Sequence, residues 1–433
     1  MSDPMIGFWM IVLLFALIGF GVYIGVAMLF TATLGIVLIR GANVGLTTMG
    51  QSAFSGTAVF AYTIIPMFML MGQAAIRSGL TERLYRAFNI WFGRTYGGLA
   101  LATISTSGLF AAISGSSVAM AAMLSRVAIP EMRKAGYKDA FSGSVLAAAG
   151  SFAVLIPPSG MLVIYALLTE QSIGQVLMSG LIPGVITVLL YLCIVTVWAR
   201  LRPDLAPRSS SYTLKERLVG TKDILPTTGI AFIVVGGIYT GALTPTESAA
   251  VGAFLVIILG LARGQLGIKD DILPSSRDAV QTTVQVFLII VAALLFGRFI
   301  ALSGLGRELV ELAEAAELGR YQLLFVIILT YLVLGTFLEG VASLVITVPL
   351  ILPLLVANDF DLLWFGVIVV KMIEISVITP PMGFNVLVLA RSVPDIDINS
   401  VWRSIGIFVV TDLLVVAMLI LWPALVTWLP NQM

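Results

Sequence analysis

"ISVITPPMGFNV", residues 375–386, sets two adjacent prolines, a glycine and an asparagine inside a long apolar run. Proline has no N–H to give a helix, and its ring clashes with the preceding turn, so Pro380 and Pro381 break any helix they enter. The flanks are apolar rather than loop-like, so the break is expected inside the apolar surroundings and not on a surface. Backbone groups freed there must be satisfied by protein or ligand, because hydrocarbon offers no water.

The whole chain has this character. Of 433 residues, 59% are hydrophobic and 11% charged, with a mean hydropathy of +1.06; a soluble domain carries about 25% charged residues. Stretches 6–39, 176–198 and 407–429 reach the roughly 20 apolar residues that span a bilayer. The fold class is therefore an all-α polytopic membrane protein. A net charge of +1 points to neither nucleic acid nor an acidic partner. There is no histidine, so imidazole ligation and histidine catalysis are excluded. The single cysteine, Cys193, sits in an apolar run and is expected to be a buried small side chain. The amino terminus lacks a charged start and a small-residue cleavage site, so residues 1–39 are expected to stay as the first spans. No GxSxG, Walker loop or metal-spaced cluster stands out, which argues against an enzyme and leaves an ion gradient as the energy source.

Apolar runs predict spans near 6–22, 23–40, 58–76, 140–168, 176–199, 225–243, 247–262, 280–302, 362–390 and 404–428. Stretch 98–129 is interrupted by "SGSS" at 114–117, and stretch 322–356 by "LEGVAS" at 338–343. Each half is about 13–16 residues, short of a span, and reads as one arm of a re-entrant hairpin. Hairpin 98–129 precedes a span broken by Pro157 and Pro158; hairpin 322–356 precedes the span broken by Pro380 and Pro381. A more polar arm, 77–96 or 305–319, precedes each hairpin. Matching interruptions in two halves point to an internal repeat with its binding site at the repeat interface.

Charge orients the repeats. Arm 77–96 carries Arg77, Arg83, Arg86 and Arg94 against Glu82, whereas arm 305–319 carries Arg307 against Glu308, Glu311, Glu314 and Glu317. The positive-inside rule places the first arm and the basic loop 200–222 in the cytoplasm, allows the second arm outside, and makes the repeats inverted with both termini outside. The domain reading is scaffold helices 1–76, cytoplasmic arm 77–97, a first transport part 98–170, scaffold 171–304, periplasmic arm 305–319, a second transport part 320–391 and a C-terminal helix 392–433.

Broken helices free carbonyls that suit a cation and N–H groups that suit an anion. Hydroxyls gather at the same places: Ser114, Ser116, Ser117, Ser151, Ser159, Ser343, Ser376 and Thr379. The bland alternative is that prolines kink ordinary spans and that serine or glycine permits close packing. Among ionisable residues at membrane depth, Glu339 is expected to orient a hairpin tip or sit near a cation. Lys371 and Glu374, three apart, are expected to pair, and Arg298 to be structural or to snorkel. In "TPTESAAVGAF", 244–254, Pro245 and Glu247 read as helix-start residues.

With "SGSSVA" at 114–119, "IPPSG" at 156–160, "TPTESAAVGAF" at 244–254 and "EISVITPPMGFN" at 374–385, the chain resembles, from end to end, the large membrane subunit of tripartite ATP-independent periplasmic (TRAP) transporters of the dicarboxylate-permease group. The resemblance implies an elevator-type, Na⁺-driven importer of small organic acids in the bacterial inner membrane. It also implies two partners, a periplasmic substrate-binding protein and a small four-helix membrane subunit. Because the chain starts at its first large-subunit span, that small subunit is expected as a separate chain. Carried over by motif, one Na⁺ site uses Ser114, Ser116 and backbone around Gly150 and Val154; the other uses backbone around Gly335 and Gly340 with Thr379 and Gly383. Substrate is expected near Ser117, Ser159 and Asn385. The sequence departs from the family pattern at Met120, where many relatives are polar, and in "GSFAVLI" before Pro157, which is less glycine-rich.

A self-sufficient Na⁺–carboxylate symporter and an ion channel are the competing classes; an intramembrane enzyme lacks an acid–base pair. Substrate identity among dicarboxylates, sugar acids, keto acids and amino-acid-like anions stays open, as do Na⁺ stoichiometry and oligomeric state. The charge pattern generates a topology prediction. Single cysteines at Ser209 and Glu314, in a background without Cys193, should react with an impermeant thiol reagent from opposite sides of the membrane. Reaction from one side would contradict inverted repeats.

Overall fold

The computed structural model describes residues 2–209 and 212–433; Ser210 and Ser211 of the basic loop lie outside the described residues. The fold is a sequence of helices. α1 (Asp3–Gly19) and α2 (Ile24–Arg40) divide the first apolar stretch, the chain turning through Gly21 at φ +82°. α3 (Ala42–Ser55) follows Gly41, then α4 (Ile64–Arg77) and the first arm, α5 (Leu80–Phe92). The first hairpin is α6 (Gly98–Ser114) and α7 (Ser117–Lys134). The first broken span is α8 (Asp139–Ser151) and α9 (Gly160–Leu168). After them come α10 (Ile173–Leu201), α11 (Leu214–Tyr239), α12 (Pro245–Ala262), α13 (Leu273–Ser303) and the second arm, α14 (Leu305–Ala315). The second hairpin is α15 (Arg320–Phe337) and α16 (Gly340–Ala357), and the second broken span is α17 (Leu362–Ser376) and α18 (Phe384–Ser392). α19 (Ile398–Leu421) and the short α20 (Ala424–Thr427) end the chain. Among the described residues, eight helices are long and apolar enough to cross a membrane.

Packing sorts the helices into two sets. α2 and α4 pack on α13, and α4 on α12, giving one set. In the other, α8 touches α6, α7, α18 and α19, while α17 touches α9, α10, α15, α16 and α19. α8 and α17, the first halves of the two broken spans, are buried on every face from Phe141 to Ser151 and from Trp364 to Ser376. A helix apolar all round belongs at such a centre. The arms are amphipathic: α5 buries Leu80, Leu84 and Tyr85, and α11 meets it through Arg83–Asp223 (3.4 Å) and Trp91–Thr221 (3.2 Å).

Four expectations need correction. Cys193 is exposed, in one stripe of α10 with Val185, Leu189 and Val197, each four residues from the next; its apolar thiol faces outward where the core was expected to hold it. The arms of the second hairpin are 18 residues each and those of the first 17 and 18, rather than 13–16. Prolines 130, 349 and 353 lie inside α7 and α16 without ending them. At 1.5 Å per residue an 18-residue arm is about 27 Å long, close to a hydrocarbon thickness. Pro380 and Pro381 are exposed, unlike Pro157 and Pro158, which are buried as the sequence predicts for both breaks. Lastly, α3 went unpredicted, because its Asn43, Thr47, Thr48, Gln51 and Ser52 hide it from an apolar-run search.

An ion-pair hub joins the two halves of the second set. Arg133, at the end of α7, donates to both oxygens of Asp139 (2.9 and 2.7 Å) and to Asp395 in the loop after α18 (2.7 Å). That guanidinium holds the Asp395 carboxyl below its usual range. Since the shift is downward on folding, the tie is complete above the unfolded aspartate value of about 3.9 and is lost as pH falls through the folded one. In the variant Arg133→Ala, amide exchange at residues 393–397 should accelerate while the melting temperature changes little, as for exposed pairs generally. Unchanged exchange would mean that backbone packing alone holds the loop.

Candidate functional site

The first cluster forms where hairpin α6–α7 meets the Pro157–Pro158 break. α6 ends at Gly115, whose φ of +60° turns the chain; a Cβ there would stand 2.8 Å from the Pro158 carbonyl oxygen. Ser114 is buried and its hydroxyl has no hydrogen-bond partner. Ser116 caps α7, accepting from the Ala119 N–H at 3.4 Å. Ser159 caps α9, accepting from Leu162 N–H at 3.2 Å, and its hydroxyl donates to the Val154 carbonyl. Gly150 lies against the Ser117 carbonyl and Asn385: an added Cβ would be 3.3 and 3.2 Å from them.

Asn385 arrives from the other half of the chain. Its amide nitrogen donates to the Ala147 carbonyl (3.0 Å), and its backbone N–H to Val377 (3.1 Å). Its side-chain oxygen is buried with no partner. Ser114, Ser117, Gly150, Val154, Ser159 and Asn385 thus share one region.

A second cluster lies where hairpin α15–α16 meets α17 and the Pro380–Pro381 break. Gly335 packs its backbone on the Ser376 side chain, and Gly340 packs on Met161 of α9 and Ile373 of α17. Thr379 donates to Ile375 within its own turn (2.7 Å), and Gly383, at φ +48°, closes over Thr379 and Trp402. Each cluster therefore receives a residue from the opposite half: Asn385 enters the first and Met161 the second. Glu339 caps α16 by accepting from Ala342 N–H (3.3 Å), and Ser343 in the same first turn is buried with an unpartnered hydroxyl. Outside the clusters, Arg298 donates to Ser52 of α3 (3.1 Å) and the Thr244–Glu247 capping box starts α12.

No group of three His, Cys, Asp or Glu side chains able to hold a metal occurs among the described residues. At the first cluster the oxygens on offer are neutral: unpartnered Ser114 and Asn385 atoms and the Ser117 and Pro158 carbonyls. Neutral oxygens on broken helices suit an alkali cation, and half-helix N-termini suit an anion.

Residues 11–425 match the family described as "Tripartite ATP-independent periplasmic transporter, DctM component". The chain belongs to the DctM family of TRAP transporters. It is similar to the sialic acid TRAP transporter large permease protein SiaM of Vibrio cholerae, with 30% identity over 412 residues covering 95% of each chain. It is similar also to the C4-dicarboxylate TRAP transporter large permease protein DctM of Pseudomonas aeruginosa, with 32% identity covering 76% of this chain and 77% of the relative. The isethionate TRAP transporter permease protein DctMQ of Oleidesulfovibrio alaskensis is 31% identical over 87% of this chain, which spans 58% of that relative's length. In fold, this TRAP large permease resembles the Alcanivorax borkumensis YdaH transporter, with a TM-score of 0.61 at 16% identity and 89% coverage of both chains.

One functional candidate was missed in the sequence. Asp412 lies within the apolar run 407–429, and the structure buries it fully beside Lys371 and Glu374; an isolated acid in a membrane stretch was the available signal.

The close approach at Gly115 generates a prediction. Gly115→Ala places a side chain in the left-handed region, at a cost of about 1–2 kcal/mol, and pushes the hairpin tip off the Pro158 carbonyl. Melting temperature and uptake should both fall, whereas Gly50→Ala, inside α3 with open space around the added Cβ, should lower neither. A fully active Gly115→Ala protein would show that this contact does not shape the site.

Proposed function

We propose that this TRAP large permease is the translocating subunit of a Na⁺-driven importer of a small organic anion, a C4-dicarboxylate or related carboxylate, in the bacterial inner membrane. The observation that carries the reading is the pair of clusters in which hairpin tips meet broken helices, with buried, unpartnered oxygens of Ser114 and Asn385 at the first. Na⁺ travels as co-substrate on neutral oxygens: Ser114, Ser116 and carbonyls near Gly150 and Val154 in one cluster, and Thr379 with backbone near Gly335, Gly340 and Gly383 in the other. The anion lies between them, near Ser117, Ser159 and Asn385. Relatives named for sialic acid, isethionate and C4-dicarboxylates support an organic-anion substrate.

The packing supports a rigid-body movement. The hairpins and broken spans form inverted repeats that slide as one elevator body past a scaffold of α1–α4 and α11–α13, braced by the two arms. α10 and α19, counted in the sequence reading with the scaffold and the carboxy-terminal end, travel with this body, because Thr187, Tyr191 and Asp412 hold Lys371 of α17 directly or through one another. Capture of scarce substrate falls to a periplasmic binding protein, and a separate small four-helix membrane subunit completes the scaffold.

The test is reconstitution in liposomes. The chain alone should take up substrate poorly, and addition of the small subunit and the cognate binding protein should restore uptake driven by a Na⁺ gradient. In that system Ser114→Ala and Thr379→Ala should shift activation to higher Na⁺ without unfolding, since a lost hydroxyl contact is worth about 0.5–1.5 kcal/mol. Robust uptake by the chain alone would favour a self-sufficient symporter. Flux without counterflow exchange would favour a channel, and unchanged Na⁺ dependence in both variants would remove these residues from the cation sites.

A further inference from the structure

Three charged side chains meet in the fully buried centre between α10, α17 and α19. Lys371 Nζ donates to Asp412 Oδ1 (2.8 Å), Glu374 Oε2 (3.0 Å) and Thr187 Oγ1 (3.2 Å), which uses all three ammonium protons. Asp412 Oδ2 accepts from the Tyr191 hydroxyl at 2.8 Å. Three of the four carboxylate oxygens are thereby satisfied. The fourth, Glu374 Oε1, is buried with no partner.

Counted as ionised groups, one lysine faces two carboxylates, which leaves a net charge of −1 in a place no solvent reaches. An uncompensated charge so deep in protein is among the most costly arrangements a fold can hold. The deficit and the orphan atom coincide: the missing positive charge and the missing donor both belong at Glu374 Oε1. We infer that Glu374 carries a resident proton on Oε1, so that the Lys371–Glu374–Asp412 cluster is electrically neutral.

The surroundings favour a proton over a metal cation. Asp412 Oδ1, Asp412 Oδ2 and Glu374 Oε2 are occupied, and Lys371 stands among them. The hydroxyl of Ser151, at the end of α8, donates to the Ala148 carbonyl (2.7 Å). A metal cation at Glu374 Oε1 would find too few free oxygens around it. The buried tyrosines of α9 and α15, both packed against α17, are engaged away from Glu374: Tyr165 donates to the Leu362 carbonyl, and Tyr331 bonds Thr347. If α17 moves as proposed above, a neutral cluster crosses the bilayer without working against the membrane potential.

Infrared spectroscopy of the full chain in lipid tests the assignment independently of transport. At neutral pH the wild type should show a protonated-carboxyl C=O stretch that shifts in D₂O and is absent from Glu374→Gln. The glutamine variant, which keeps the neutral shape, should retain the wild-type melting temperature. In Asp412→Asn the same band should vanish, because Glu374 must then ionise to balance Lys371. Absence of a Glu374-dependent band in the wild type would overturn the proposal. So would a band that grows when Na⁺ is replaced by choline at constant pH, since that outcome makes the occupant a cation. A folded Glu374→Gln protein with a strongly lowered melting temperature would likewise show that the ionised carboxylate is the native form.

Discussion

A helix interrupted in an apolar medium releases N–H and C=O groups that water does not reach, and the architecture follows from where those groups find partners. At the first break the Ser159 hydroxyl serves both sides, accepting from Leu162 and donating to Val154. At the second, the Asn385 backbone N–H reaches back across the break to Val377. A hairpin tip can stand over such a break only where a side chain is absent, as at Gly115 over Pro158; Gly335 and Gly340 likewise let the second hairpin approach Ser376 and Ile373 of α17 and Met161 of α9.

The same constraint interlocks the two halves of the chain. Asn385 spends its amide nitrogen on Ala147, more than two hundred residues away, and leaves its oxygen pointing into buried space. Met161 fills the reciprocal place under Gly340. Arg133 repeats the arrangement outside the apolar region, joining α7 and α8 to the loop after α18. Neither half of the chain builds its own cluster, so the two halves are tied to each other through both.

Charge placement follows a complementary logic. Exposed pairs such as Arg77–Asp278 and Arg83–Asp223 lie on the arm and its neighbours, where screening makes each of them cheap to break. The Lys371 cluster is wholly enclosed. Removing one member of a buried group leaves the others unpaired in protein, which is far more costly than breaking a surface pair on the arms.

Much was legible in the residues alone. Apolar composition determined a membrane-spanning helical chain, paired prolines determined where two spans break, and "SGSS" and "LEGVAS" located both hairpin turns, because each of these depends on local backbone chemistry. The lipid-facing side of α10, and with it the exposure of Cys193, depended on which neighbours cover the helix. The arm lengths of the hairpins depended on whether internal prolines such as Pro349 kink a helix or end it. The burial of one break and exposure of the other depended on what packs over each. Asp412 is separated from Lys371 by 41 positions, and Asn385 from Ala147 by 238. No local pattern encodes such pairs; they exist only once packing has brought distant helices close enough for a buried polar atom to find its partner.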